Sequence, residues 1–131
     1  MANRGMRNKN PFNIRISDNP WIGKKTPSRD KEFEQFHSLV FGLRAGFVLL
    51  KNYINNYHLN TPRKILKRFA PEQENDLRSY MFFVSTYLDL DQELKFGDSY
   101  FCLLVRAILL YESEYNISSA YINQLIYQFK L

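Results

Sequence analysis

Cysteine is nearly absent: Cys102 stands alone, so no internal disulfide can form and nothing depends on an oxidising compartment. Its apolar surroundings, FCLLV, predict a core filler. Histidine is as scarce. His37 and His58 lack the partners that zinc sites or Cys/His nucleophile schemes need, so no metal and no cofactor is expected. The chain has no run of 18 apolar residues, and its opening MANRGMRNKNPFNIR lacks the apolar core of a signal peptide. The expectation is synthesis in the cytoplasm without a signal peptide and no membrane insertion. Another agent must then deliver the protein to any target outside the membrane.

The composition of the 131 residues, 45% hydrophobic and 24% charged, excludes a wholly disordered chain and fits one domain spanning 1–131. With 11 Phe, 9 Tyr and one Trp, aromatic side chains exceed what a small core needs, which leaves some to line a groove. Charge is unevenly placed. Residues 1–31 hold eight Lys/Arg against Asp18 and Asp30, whereas the remaining residues hold ten against eleven acids. The basic N-terminal segment suits a polyanion such as nucleic acid, teichoic acid or peptidoglycan carboxylates; a solvated arm is the alternative.

Residues 1–37 are irregular, with Asn, Pro and Gly around two short alternating runs, Asn13 to Ser17 and Glu32 to Phe36. They predict a small β-ribbon with a long loop carrying Trp21. Helical periodicity takes over across 38–131. Leu43, Phe47, Leu50 and Ile54 share one face of a helix near Leu39 to Tyr57. Thr61 and Pro62 start a short helix ending at Phe69, and an acidic PEQEND leads into another through Tyr80, Met81, Val84 and Leu88. The stretch Ser99 to Tyr115 is apolar on nearly every face and reads as a central buried helix. Ser118 or Ser119 caps the last helix, which turns Tyr121, Leu125, Ile126 and Phe129 to the core. The fold class is mainly α, with a minor β component (α+β).

One carboxylate stands out. Glu112 lies one turn after Ile108 at the end of the most hydrophobic helix, at the edge of the core. Partial desolvation raises a carboxylate pKa, as a general acid for glycosidic cleavage requires near neutral pH. The alternative is a helix-end glutamate that reaches solvent or pairs with Arg106. Asn10 and Asn13 could supply amides to an amino sugar, with Trp21, Phe36 and Tyr80 as stacking surfaces; turn residues and core aromatics are the competing readings. Glu74, Asn75 and Asp76 read first as helix capping.

The segments RGMRNKNPFNIR, NPWIGK, FEQFHSLVFGLRA and TPRKILKRFAPEQENDLRSY resemble, in order and spacing, the short phage and prophage virion-associated proteins of the lysozyme-like superfamily. That family shows stretches like RGIRNNNPGNIR and A-P-x-x-E-N-D-T-x-x-Y. The segment LVRAILLYES resembles a family segment like LVEAIIRHEN, which sets Glu112 on the family glutamate. The resemblance covers roughly residues 4 to 115. It implies a lysozyme-like helical domain, circularly permuted, with the catalytic helix late in the chain and the ribbon first. The turn bearing Asn10, Pro11 and Asn13 would then border the sugar groove, and Tyr80 would face the catalytic glutamate.

Four positions depart from the family pattern. Phe12 replaces a glycine, Leu77 a threonine, Tyr111 a histidine, and Glu114 a glycine; Phe12 and Glu114 could narrow the groove or add charge beside Glu112. The resemblance implies a lytic transglycosylase or muramidase that cleaves the MurNAc-GlcNAc β-1,4 bond of peptidoglycan with Glu112 as its one catalytic glutamate. The alternative is a non-catalytic virion or wall-binding protein that keeps the fold. Expected partners are peptidoglycan glycan strands and virion or secretion-apparatus proteins, with action in the virion, at the cell wall or in the periplasm after delivery. Nucleic-acid binding through the basic N-terminus is the least expected; with few stacking aromatics among the basic residues it would be mainly phosphate-driven and steeply salt-dependent.

Overall fold

The computed structural model describes residues 3–71 and 76–131. Six helices follow in order: α1 Arg4–Arg7, α2 Leu39–Tyr57, α3 Pro62–Phe69, α4 Leu77–Ser85, α5 Ser99–Ser113 and α6 Ser119–Gln128. Among the described residues no helix is long and apolar enough to cross a membrane.

Local chemistry sets most of the boundaries. Thr61, Asp76, Asp98 and Ser118 each accept a backbone N–H of the first turn that follows, satisfying a donor that a bare helix end leaves orphaned. Glu72, Glu74 and Asn75 of the expected acidic lead-in lie outside the described residues. Helix α4 stops at Ser85, short of the expected Leu88. The Ser85 and Thr86 hydroxyls donate to the Phe82 and Phe83 carbonyls at 2.6 and 2.7 Å, a side-chain bonding that competes with continuation of the helix. Leu88 is nevertheless buried from the turn beyond.

Helix α5 is the hub, packed against α1, α4 and α6, while α2 meets α3 and α6. Phe101, Cys102, Leu104, Val105, Ala107, Ile108 and Leu109 of α5 are all buried, as are Leu43, Phe47, Leu50 and Ile54 of α2. Ile122 joins Leu125 as a buried residue of α6, with Tyr121, Ile126 and Phe129 partly covered. Burying each large aliphatic side chain contributes about 1.5 to 3 kcal/mol.

The expected ribbon is reduced to two isolated antiparallel bridges, Arg15 with Phe33 and Lys24 with Phe36. The extended segment 32–37 bonds to 14–16 on one side (Ile16 N–H to Glu32 O, 3.0 Å) and to 23–25 on the other (Lys25 N–H to Gln35 O, 2.7 Å). No regular strand forms among the described residues. The short helix α1, read in the sequence as irregular, is capped by Asn3, whose side chain accepts from Met6 N–H at 3.0 Å.

The turn after α1 is seated on α2. An added Cβ at Gly42 would meet the Lys9 carbonyl oxygen at 2.1 Å, and one at Gly46 would meet the Phe12 ring at 2.0 Å. Glycines one helical turn apart therefore let the segment Lys9 to Phe12 lie directly on the helix. Ser113 Oγ holds the same turn to the end of α5, donating to Pro11 O at 2.8 Å. That contact places Asn13 beside Glu112.

Candidate functional site

Glu112 occupies the last turn of α5 and is half-buried. Asn13, in the left-handed region at φ 52°, donates from Nδ2 to Glu112 Oε1 at 3.0 Å and to the Glu112 carbonyl at 3.2 Å. Burial pushes the Glu112 carboxyl above its ordinary value. The Asn13 amide, the Tyr80 hydroxyl and the positive charge of Arg15 pull the other way but do not cancel the burial. Arg106 does not pair with Glu112; its Nε is buried without a partner elsewhere on the helix.

Tyr80 is fully buried on α4, and its ring stacks on Tyr111 with centroids 3.9 Å apart. Its hydroxyl lies near Glu112 without closing a hydrogen bond of normal geometry. Burial first, and then the neighbouring Glu112 charge, hold the phenol well above its ordinary pKa. It stays protonated and presents an O–H dipole to the carboxyl.

Glu112 and Asn13 open into a cleft of about 340 Å³. Trp21, Leu49, Tyr53, Phe69 and Pro71 supply its apolar walls, and Arg15 and Arg68 its cations. Among the described lining residues Glu112 is the one carboxylate. Two buried polar atoms of the lining have no partner: Asn13 Oδ1, an acceptor, and Trp21 Nε1, a donor. Such orphans are uncommon in folded proteins; both atoms are sealed from solvent, and Asn13 Oδ1 faces Gly5 rather than the cleft.

Three of the expected sugar-contacting residues sit elsewhere. Asn10 is fully buried, with Nδ2 donating to the Ile14 and Glu34 carbonyls at 2.9 Å and Oδ1 accepting from Ile14 N–H at 3.0 Å. Its amide is consumed in holding the turn. Phe36 is 1% exposed and belongs to the core, so neither it nor the buried Tyr80 offers a face for a sugar to stack on. Of that set, Asn13 and Trp21 line the cleft.

The departures from the family pattern acquire physical reasons. Phe12 does not narrow the cleft; it is fully buried, edge-on to Phe47 and Phe69 at 6.1 and 6.5 Å between centroids. Glu114 caps α5 at φ 51°, a left-handed position that favours glycine, and its side chain is exposed. Arg15, Leu49, Tyr53, Arg68 and Phe69 were not singled out by the sequence. Arg15 ends the RGMRNKNPFNIR stretch and was within its reach; nothing marks Arg68, whose guanidinium rests near the Tyr53 and Tyr57 rings at 5.9 and 5.3 Å.

Among the described residues no group of three or more His, Cys, Asp or Glu could hold a metal ion. No family model matches the chain. The chain is 34% identical over 118 residues to protein P5 of Pseudoalteromonas phage PM2, across 88% of its own length and 74% of that protein.

Proposed function

Since the chain belongs to the same family as protein P5 of Pseudoalteromonas phage PM2, and since Glu112 is half-desolvated over a cleft, we propose a peptidoglycan-cleaving glycosidase. The observation that carries this reading is Glu112 itself: a carboxyl raised by burial, held by an amide, and open to a groove with an aromatic wall. A phage must pass its host's wall, which supplies the polymer. The late position of Glu112 in a buried helix, with the paired N-terminal segments packed at its end, fits a permuted lysozyme-like domain.

Protonated Glu112 donates its proton to the glycosidic oxygen as the bond from MurNAc C1 breaks, and the acetamido carbonyl of that sugar attacks C1 from the opposite face. The acetamido group is the more economical nucleophile, since Glu112 is the one carboxylate among the described lining residues. Glu112, now a carboxylate, removes a proton from the 6-hydroxyl or from water. Attack of that oxygen on C1 restores the acetamido group and gives a 1,6-anhydro or a reducing end. Arg15 and Arg68 make the cleft positive, which suits the carboxylates of the wall polymer, and Trp21 supplies an aromatic wall for a sugar face.

A zymogram with embedded cell wall tests the reading. Wild-type protein should clear the gel and Glu112→Gln should not, with soluble sugar ends appearing only in the wild-type digest. Wall binding by both proteins without release of product would replace the enzyme with a binding protein on the same scaffold.

A further inference from the structure

A second groove, of about 480 Å³, runs between Asn19–Ile22 and one face of α2. Arg44, Val48 and Asn52 are spaced four apart and form that face. The groove shares Asn19, Trp21 and Leu49 with the Glu112 cleft, so the two are continuous past the indole. Building on the glycan reading of that cleft, we propose that this second groove binds the acidic peptide stem carried by the glycan strand.

The lining matches that ligand. Pro20, Ile22, Val48 and Leu49 present short apolar surface for small side chains, and Ile22 is 53% exposed. Arg44 is the one charged residue of the groove; its guanidinium lies 6.0 Å from the Phe129 ring and has no carboxylate partner among the described residues. A cation in such a setting favours a carboxylate, which a guanidinium can bind by two parallel hydrogen bonds. Asn52 Oδ1 accepts from Asn56 Nδ2, which leaves the Asn52 amide N–H groups as donors to a peptide carbonyl. A polyphosphate ligand would need more cations than this groove holds.

The test is calorimetric binding on the Glu112→Gln background, which prevents turnover. The probes are a soluble peptidoglycan tetrasaccharide carrying its stem peptides and the same tetrasaccharide after amidase removal of the peptides, with the freed lactyl carboxylates converted to amides. The peptide-bearing probe should bind about tenfold tighter, the scale of one charge-assisted contact. Adding Arg44→Gln should erase that advantage and leave the bare glycan unchanged. Asn52→Asp, which sets a negative charge in the groove, should weaken the peptide-bearing probe alone. If neither substitution changes the advantage, or if there is no advantage, the peptide assignment is overturned and the glycan cleft stands. If neither probe binds any of the proteins, the glycan reading falls and takes this site with it.

Discussion

Glu112 is held half out of water at the point where a buried helix stops, and that position controls both its chemistry and its cost. Its folded pKa lies above the ordinary value, so the neutral carboxyl is the form the fold prefers. The resulting stabilisation is present below the ordinary carboxylate range and is lost as pH rises through the folded pKa. Glu112→Gln, which mimics the neutral form, should therefore melt at or above the wild-type temperature at pH 7, with the gap closing in acid. Its turnover of cell wall should fall about 10²- to 10⁴-fold, the usual contribution of a general acid. Asn13 stabilises the charged form by donation to Oε1, so its removal pushes the carboxyl higher. Asn13→Gly keeps the left-handed backbone and deletes the amide. The alkaline limb of its pH-activity profile should move upward; an unmoved limb would show that Asn13 does not tune the acid. Glu112 was legible in the sequence because the helix carrying it is apolar on almost every side. Asn10 and Asn13 could not be told apart, since only the folded turn shows which amide is spent on its own backbone.

The helices were the most legible elements. The bounds of α2 and α3 follow from periodicity and from the Thr61-Pro62 start, both purely local signals. Helix α1 was missed because four residues carry no period, and its cap, Asn3, looks like any other asparagine of a basic tail. The ribbon was overread: alternation brought the two runs together, but pairing with segments on both sides left isolated bridges in place of strands. Gly42 and Gly46 are legible only in three dimensions, as the seat of the turn that carries Asn13. Gly46→Ala drives a methyl into the Phe12 ring, and overpacking of this kind costs about 1 to 3 kcal/mol. Chemical denaturation should report that loss. Activity should fall with it in assays near the melting temperature and recover on cooling.

Across the whole molecule folding pairs part of the charge asymmetry of the sequence with nearby acids. Arg4 pairs with Asp30 at 2.7 Å and with Glu32 at 3.5 Å, Arg15 with Glu32 at 3.2 Å, and Lys24 with Glu34 at 3.0 Å. A composition split at residue 31 separates several of these partners, which is why the segment looked like a free basic arm. Asp30 is the hub. The Arg4 guanidinium first, then Asn8 and the Glu32 and Phe33 N–H groups, hold its carboxyl far below the usual range. Its stabilisation is present above the ordinary aspartate value and is lost as pH falls towards the folded one. Melting temperature should drop as the solution is acidified below about pH 4, and Asp30→Asn should flatten that slope while lowering stability at neutral pH. An unchanged slope would place the acid sensitivity elsewhere.

The most direct measurement is a ¹³C titration of the Glu112 carboxyl in the folded protein, assigned by comparison with Glu112→Gln. The account predicts a midpoint above that of an ordinary glutamate, moving higher still in Asn13→Gly. A midpoint at or below the ordinary value in both proteins would contradict it, because a carboxyl that ionises as it does in water cannot be the proton donor this cleft requires.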